Sequence, residues 1–468
     1  MIVARGRGRA GATLMTLLLV QGCMVGPDYQ RPELDMPAGY LEPAPTEPSI
    51  ANMAWWEIFE DAELKALIEE ALANNKDLAV AVSRIEEAEA ELGIVRANQF
   101  PFLDAQGNAG RVQQSETLLP GADARDDYFL GAAASFEVDL WGRLRRATEG
   151  ARASLLATEA NARNVTITLV ASVADTYFRL LDLDRRLRIS RRTVESRQDS
   201  LGIIQARFDK GTVPELDVNQ AEIELADAEA AVAAFDRAAR QIENALSVLV
   251  GSRPRAIARG LPLQEQTLPT EVPAGLPIEL LERRPDVTAA EQQLAEETAL
   301  IGVARARRLP SVVLTGSFGY ASSDLDDLLD GDSETWDIFG NIFAPIFNSG
   351  QFKAAEAAQR ERAEQARLDY EQAVLDALRD VDDALTGIRT YLVEHEARRR
   401  QLNAARNAAR LSRSRYDGGV VSYLEVLDSE RSLFDAELLE SETRQRRLNA
   451  LVSLYRALGG GWPPSEPT

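Results

Sequence analysis

The stretch RFDKGTVPELDVNQAE, Arg207 to Glu222, returns at an offset of 208 as RYDGGVVSYLEVLDSE, Arg415 to Glu430, with seven of sixteen positions identical. A shorter block, ANQFP at 97–101, is matched at an offset of 209 by ARRLP at 306–310. We interpret the chain as a tandem duplication of one large unit. A period of this length is too long for a solenoid repeat, so two copies of a complete fold are expected.

Each copy carries the same predicted order of elements. Apolar and polar residues alternate in the segments predicted as strands, and long stretches without proline favour long helices. The predicted elements are helix 62–98, strands 102–113 and 128–140, and helices 143–208 and 215–250 in the first copy; and helix 286–308, strands 311–321 and 336–347, and helices 351–416 and 422–458 in the second. Gly211 and Gly419 supply the left-handed residue that ends each long helix.

The domain organisation follows from these elements. It comprises a signal peptide at 1–22, an N-terminal extension at 23–61, the first repeat at 62–250, an inter-repeat linker at 251–285, the second repeat at 286–458 and a C-terminal tail at 459–468.

Cys23 is the only cysteine of 468 residues, and it follows a short apolar run after three arginines. That arrangement is typical of a secretory signal peptide. Val20-Gln-Gly-Cys23 resembles a bacterial lipobox, which predicts cleavage before Cys23 and a covalent lipid on its thiol. The alternative is an ordinary signal peptide that happens to contain a cysteine. No other cofactor and no metal are expected.

Composition limits the possible functions. A formal net charge of −22 repels nucleic acid, so no nucleic-acid partner is expected. No segment after the signal peptide approaches eighteen consecutive apolar residues, so any further membrane insertion must use strands. Four strands cannot close a barrel, whereas three copies would give twelve. The alternative is a soluble four-stranded sheet on a helical stalk.

Three motifs carry a resemblance to a known family. They are GCMVGPDYQRP at 22–32, LERRPD at 281–286, and the two Arg-(Phe/Tyr)-Asp-x-Gly-x-Val turns. With them the chain resembles the outer membrane factors of Gram-negative tripartite efflux pumps, the TolC-like proteins, in their lipidated OprM/NodT branch. The resemblance implies an α+β membrane protein: a homotrimeric outer-membrane β-barrel with four strands per chain, continued by a long periplasmic α-helical coiled-coil barrel.

The resemblance also implies the function and the partners. The chain would be the passive exit duct of an efflux pump that exports small molecules, located in the outer membrane, anchored in its lipid and extending into the periplasm. Its partners would be a periplasmic adaptor and an inner-membrane pump of the RND type. The alternatives are the outer-membrane channel of a type I protein-secretion system and a purely structural trimeric coiled-coil lipoprotein.

Two sets of functional residues follow from the same resemblance. The periplasmic gate would consist of Leu424, Asp428 and Arg431, which share one helix face because they are four and three residues apart. The hairpin tips that meet the adaptor would contain Arg207, Gly211, Val213, Arg415, Gly419 and Val421.

No catalytic site is predicted. His395 is the only histidine and lies in a charged helical run, which is typical of a solvated helix residue. The many carboxylates stand beside arginines at helical spacing, which solvated pairs explain. Phosphate loops, nucleophile elbows and cysteine–histidine clusters are missing from the sequence.

Overall fold

The computed structural model of the chain describes residues 24–42, 60–115, 117, 120–121, 123–267, 274–275 and 277–460. Cys23 and the predicted signal peptide lie outside these ranges, as does the end of the tail from residue 461. The lipidation prediction therefore concerns a residue that the structure does not describe.

Both halves of the chain run through one order of elements. The first half contains α1 (Ala62–Asn74), α2 (Lys76–Ala97), β1 (Phe102–Val112), β2 (Arg125–Val138), α3 (Arg143–Asp209) and α4 (Glu215–Leu249). The second half contains α5 (Leu280–Arg283), α6 (Pro285–Ala306), β3 (Ser311–Ser322), β4 (Glu334–Phe343), α7 (Gln351–Asp417) and α8 (Tyr423–Ala457), with 3₁₀ turns at Pro277–Glu279 and Gly331–Ser333. The prediction of a mainly helical chain with four strands is confirmed.

The helices α3 and α7 dominate the chain. Each has 67 residues, and each ends one residue beyond its predicted end. The returning helices α4 and α8 have 35 residues each. Across the described ranges, none of the helices combines the length and the apolar character needed to cross a bilayer.

The first predicted helix, 62–98, is broken at Asn75. Asn75 has an extended backbone, with ψ of 134°. Its Oδ1 accepts the N–H of Leu78 at 3.0 Å and so caps α2, while its Nδ2 donates to the carbonyl of Leu249 at 2.9 Å. Arg284 holds the same place between α5 and α6, also extended, with ψ of 118°. The prediction of one continuous helix was wrong because the break depends on a contact with α4.

The second half also begins earlier than predicted. The predicted linker, 251–285, contains the turn Pro277–Glu279 and the whole of α5, and Pro285 is the first residue of α6. Proline is favoured at a first helical position because the N–H that it lacks would have no partner there. Pro285 therefore starts a helix instead of ending a linker.

Contacts divide the chain into two compact units. The first comprises the described residues of Met1–Glu33, Arg84–Glu159 and Ala289–Glu371. The second comprises those of Leu34–Ser83, Ala160–Thr288 and Gln372–Thr468. All four strands belong to the first unit, and both helical turns that contain the repeated motif belong to the second.

The four strands of the first unit form one antiparallel sheet in the order β1-β2-β3-β4. Gly131 of β2 lies opposite Gly319 of β3. A Cβ atom on Gly131 would lie 2.6 Å from the carbonyl oxygen of Phe318, so the two strands approach as closely as glycine permits. Within one chain, β1 and β4 each pair on one side only, which leaves a row of backbone N–H and C=O groups at both edges.

The strand β2 ends at Val138, two residues before its predicted end at Leu140. Asp139, which the alternation assigns to a strand face, instead caps α3. Its carboxylate accepts the backbone N–H groups of Leu144 and Arg145, each at 3.1 Å. Capping of this kind satisfies donors that the first turn of a helix leaves unpaired.

Residues 24–31 are fixed to the first unit by close backbone approaches. Met24 lies against Gly142, where an added Cβ would come within 2.6 Å of the Met24 Cγ. Gly26, with φ of 105°, packs on Gly302 so closely that a Cβ on Gly26 would lie 2.5 Å from the Gly302 Cα. Neither contact leaves room for a side chain.

Ion pairs hold the same segment. Asp28 pairs with the buried Arg146 at 2.5 Å. Glu291, which is itself buried, accepts the hydroxyl of Tyr29 at 2.9 Å and two nitrogens of Arg31 at 2.7 and 2.8 Å. The chain is therefore anchored from the first residue after Cys23 onward.

In the second unit, polar groups that the sequence assigns to solvent are buried. His395 is only 3% exposed, so the prediction of a solvated residue was wrong. Burial lowers the pKa of His395, which keeps it neutral beside Glu440. Glu440 pairs with Arg185, and Glu437 with Arg192, each at 2.5 Å. The polar stripe of α8 packs against α3, so the acidic side chains of α8 pair with arginines of α3.

Asp61 joins the start of α1 to the segment between the two repeats. Its buried carboxylate accepts the hydroxyl of Tyr177 at 3.0 Å, the N–H of Leu261 at 3.1 Å and the amide of Gln266 at 2.6 Å. It also caps α1. These hydrogen bonds offset the cost of burying the Asp61 carboxylate.

The burial of Asp175 of α3 makes the free energy of unfolding depend on pH. Its Oδ1 has no hydrogen-bond partner among the described residues. Burial raises the pKa of Asp175 from 3.8 to about 7, and the charge of Arg456 only partly opposes this. The folded state therefore holds a proton that the unfolded state releases, and the free energy of unfolding falls as pH rises from about 4 to about 7.

We expect Asp175→Asn, which cannot ionise, to raise the Tm over the wild type at pH 8 and to leave it nearly unchanged at pH 4. Circular dichroism during heating measures both values. Asp199→Asn, at an exposed position of the same helix, is the matched control and should show no such pH dependence. An equal difference at both pH values for Asp175→Asn would contradict the assignment.

Candidate functional site

The repeated motif forms the turns between α3 and α4 and between α7 and α8. Gly211 has φ of 69° and Gly419 has φ of 71°. In the first turn the N–H of Gly211 donates to Phe208 at 2.7 Å, and the next N–H donates to Arg207 at 3.0 Å. The second turn repeats both bonds. This pair of bonds is the Schellman motif, and its left-handed residue explains the glycine in both copies.

The two helical hairpins meet through one apolar cluster next to these turns. We call it the tip cluster, and it consists of Ile204, Ala221, Tyr423, Val426 and Leu427. Val213 and Tyr416 pack against it, and the guanidinium of Arg207 lies over the Tyr416 ring, 4.9 Å from its centre. The first turn is thereby fixed to the second.

The structure places all six predicted tip residues at this end of the second unit. Arg207 and Val213 serve the packing, and Arg415 pairs with Glu425 at 3.4 Å. Gly211 and Gly419 are exposed, and Val421 is half-buried. The backbone of both turns is therefore open to a partner, while whether an adaptor binds there stays a prediction.

The three predicted gate residues all lie on α8, close to its start. Leu424 is 59% exposed although it is apolar, and Asp428 and Arg431 are exposed too. The main contact of the Arg431 guanidinium is not with Asp428. The guanidinium binds Glu224 of α4, with Nε at 3.1 Å from the carboxylate. The hydrogen bond with Glu224 is also the largest cause of the raised pKa of Arg431, and Asp428 contributes less.

Glu224, which the sequence pattern did not point to, connects these helices. Its side chain is only 6% exposed, and it also pairs at 2.9 Å with Arg197, whose side chain is 4% exposed. The guanidinium of Arg197 lies over the ring of Phe434, 5.3 Å from its centre. Glu224 therefore joins the first hairpin to Arg431 of the second.

A signal for Glu224 exists in the sequence. It stands within the stripe of buried residues on α4 that includes Ala221, Leu225 and Ala228. An acid at such a position is rarely buried without a cationic partner. The partner itself could not be read from the sequence, because Arg197 and Arg431 lie on two other helices.

No group of three or more histidine, cysteine or acidic residues suited to a metal ion occurs among the residues that the structure describes.

The model of the family described as "outer membrane efflux protein" matches the chain twice, over residues 67–252 and 276–460. The chain belongs to this family. The two matches coincide with the two halves that share one order of elements. The second match begins at residue 276, inside the predicted linker and just before the 3₁₀ turn Pro277–Glu279 and α5.

Individual proteins of this family are similar along most of the chain. The solvent efflux pump outer membrane protein SrpC of Pseudomonas putida is 37% identical over 392 residues, which cover 81% of this chain and 82% of that protein. The cation efflux system protein CusC of Escherichia coli is 34% identical over 452 residues, covering 95% and 97%. A crystal structure of a membrane protein from Pseudomonas aeruginosa matches with a TM-score of 0.89 and 36% identity, covering 94% of this chain and 98% of that one.

These similarities confirm three predictions from the sequence: the family, the function in efflux, and the location in the outer membrane. The relatives are efflux proteins and not enzymes, which agrees with the absence of a predicted catalytic site.

The contacts of Glu224 lead to a prediction about stability. Glu224→Gln leaves the buried guanidinium of Arg197 without its charged partner, and breaking a buried pair in this way costs about 3–5 kcal/mol. Arg431→Met removes only a partly exposed partner and keeps the Arg197–Glu224 pair, so its cost should stay below about 1 kcal/mol. Thermal unfolding of the purified protein measures both.

Glu222→Gln, at an exposed position of the same helix, is the control and should behave as the wild type. If Glu224→Gln unfolds at the temperature of this control, the buried pair does not have the role given to it here.

Proposed function

We propose that three copies of this chain form one continuous duct through the outer membrane, and that this duct is the exit of a tripartite efflux pump for small molecules. The observation that carries the proposal is the sheet of four strands with two open edges. In lipid, each unpaired backbone group costs several kcal/mol, so a sheet of this size needs further strands from other chains.

Three copies would join β4 of one chain to β1 of the next and close a barrel of twelve strands. Twelve is within the range of known outer-membrane barrels, and strands of 10–14 residues are long enough to cross the bilayer at a tilt. The trimer itself is supported by the family resemblance described above.

The long helices would continue the barrel into the periplasm. Each chain contributes two helical hairpins, so a trimer contributes six hairpins and twelve helices. The segments before α1, between the repeats and after α8 would form a belt around this tunnel, as the family resemblance implies. The contacts of Asp61 with Leu261 and Gln266 support such a belt, because they fasten the inter-repeat segment to the first repeat.

Energy and substrate would come from an inner-membrane pump of the RND type through a periplasmic adaptor. The two Schellman turns are the proposed adaptor site, since their exposed glycines leave the backbone accessible to a partner. SrpC is named for solvent efflux and CusC for cation efflux, and the chain resembles both to a similar degree. The proposal therefore names small molecules as the substrate class and leaves the choice among them to the pump.

The proposed gate lies at the periplasmic end of the tunnel. In a three-fold channel Leu424 would form an apolar ring and Asp428 a ring of negative charge. Arg431 would stabilise this gate, because its ion pair with Glu224 connects α8 to α4. Opening would require these helices to separate at that ion pair.

The membrane anchor of the proposal is a covalent lipid on Cys23. The docked segment supports it, because the chain is held to the first unit from Met24 onward and a lipid on the preceding residue would enter the membrane next to the sheet.

Closure of the barrel between copies can be tested with cysteines. In a Cys23→Ala background the chain has no thiol, so a pair placed on the two edges, Asn108→Cys on β1 and Asn341→Cys on β4, can react only as designed. With a short bifunctional thiol reagent we expect covalent dimers and trimers in outer-membrane fractions, read on denaturing gels.

The matched control is Ala133→Cys with Ser317→Cys, which lie opposite each other within one chain. This pair should give intrachain products alone. If the edge pair gives only monomers, in protein that is located in the outer membrane, the result would contradict the shared barrel.

The gate can be tested by conductance. We expect Asp428→Ala and Leu424→Ala to raise single-channel conductance in planar bilayers, and to make cells sensitive to a large antibiotic that the outer membrane normally excludes. Asp435→Ala, two turns farther along the same helix face, should leave both at wild-type values. If the gate variants remain trimeric and also keep wild-type conductance, the constriction lies elsewhere.

A further inference from the structure

The sheet of the first unit has two different faces. Residues that lie opposite one another in the register share a face, and successive residues of a strand alternate between the two faces. One face presents exposed apolar side chains, which suit the hydrocarbon of a bilayer; they include Leu103, Leu130, Phe318, Trp336, Ile338 and Ile342. We call the opposite face the inner face. It consists of the even-numbered residues of β1 and the odd-numbered residues of β2, β3 and β4.

The inner face is concave where β2 meets β3. A Cβ atom added to Gly131 would lie 2.8 Å from the Cα of Gly319, and one added to Gly319 would lie 2.6 Å from the Cα of Gly131. Both added atoms would project from the inner face, so the two strands bend toward each other on that side. The ring of Phe129 folds over the same place, with its Cζ 2.8 Å from the Cβ position of Gly131. Side chains of the inner face therefore converge on a common space.

The charged residues of the inner face are mostly acids. They are Asp104, Asp127, Glu137 and Asp337, with Arg125 as the one base of this face within the four strands. Glu137 is neutralised by two nitrogens of Arg143, at 3.0 and 2.6 Å. Arg125 stands two residues from Asp127, at the start of β2.

Two carboxylates in the middle of the face have no cation beside them. Asp337 accepts a hydrogen bond from the hydroxyl of Ser317. The carboxylate of Asp104 has neither a hydrogen bond nor an ion pair with the part of the chain that the structure describes. Both acids are therefore available to a positively charged solute.

The register puts these two acids in one row across the sheet. Asp104 lies opposite Ala133, Ala133 opposite Ser317, and Ser317 opposite Asp337. The adjacent row begins with Phe102 on β1 and ends with Phe339 on β4.

Each acid of this row thus has a phenyl ring on its own strand and its own face. The two side chains of such a pair are two residues apart, which corresponds to about 7 Å along the strand. The rings of Phe102 and Phe339 are 49% and 58% exposed, so a solute can reach them. The pair Phe102/Asp104 and the pair Asp337/Phe339 combine the same two groups at the two edges of the sheet.

We propose that the inner face binds organic cations that carry an aromatic ring, with the cation on Asp104 or Asp337 and the ring on the neighbouring Phe102 or Phe339. The carboxylate attracts the charge, while the phenyl ring attracts both a cation and a second ring. A negatively charged solute finds no cation in these two rows. The inference rests on the proposed duct, which this face would line, and it adds two sites per chain that favour aromatic cations among small molecules.

The test uses the full-length protein in nanodiscs of zwitterionic phosphatidylcholine. Binding of the fluorescent aromatic cation N-methylacridinium is followed by fluorescence anisotropy, with empty nanodiscs as the blank. We expect Asp104→Asn combined with Asp337→Asn to weaken binding about fivefold, the upper value for exposed ion pairs. Phe102→Leu combined with Phe339→Leu should weaken it about threefold, as the loss of an exposed cation–π contact does.

Two single variants are the matched controls. Asp326→Asn removes an exposed acid from the loop between β3 and β4, and Phe318→Leu removes an exposed ring from the apolar face. Both should bind the dye as the wild type does.

Competition on the wild type does not depend on any variant. Benzyltrimethylammonium, which has a ring and a positive charge, should displace the dye. Tetramethylammonium lacks the ring and should need about threefold more, and benzenesulfonate, with the opposite charge, should not displace the dye.

Three results would overturn the proposal: equal displacement by benzenesulfonate and benzyltrimethylammonium, wild-type affinity in the variant without the two acids, or a loss in Phe318→Leu as large as in the variant without the two rings. Failure of the proposed trimer is seen separately, because native gels of the same samples would then show monomers.

Discussion

A β-sheet can stay in lipid only if each backbone N–H and C=O finds a partner, and this constraint governs the whole molecule. A single chain leaves the outer edges of β1 and β4 unpaired. Its sheet also presents apolar side chains such as Trp336 and Ile342 to the outside. Both features are unfavourable for an isolated chain in water. In the proposed trimer, insertion into the membrane and assembly with other copies would therefore be a single step.

Charged contacts determine how the helices of the second unit align. The helices are rich in alanine and leucine, so similar apolar stripes recur every few turns and would tolerate sliding by one heptad. The buried pairs Arg185–Glu440 and Arg197–Glu224 exist in only one alignment. Sliding would leave buried charges without partners, which costs more than the apolar contacts can recover. The pairs thus specify the register.

Local chemistry accounts for what the sequence predicts and for what it does not. Gly211 and Gly419 end their helices through bonds within one turn, so sequence alone places these ends to within a residue. The break at Asn75 depends on the carbonyl of Leu249, which lies 174 residues away. The partner of Arg431 and the burial of His395 depend on how several helices pack, and a pattern read along one helix contains no information about the others.

The glycine pair Gly26 and Gly302 sets a limit on how this protein can be engineered. Backbone meets backbone there, and neither glycine has room for a side chain. A foreign leader fused to this chain must therefore leave the residues from Met24 onward unchanged. One residue inserted between Met24 and Gly26 would pull one of the two out of its contact.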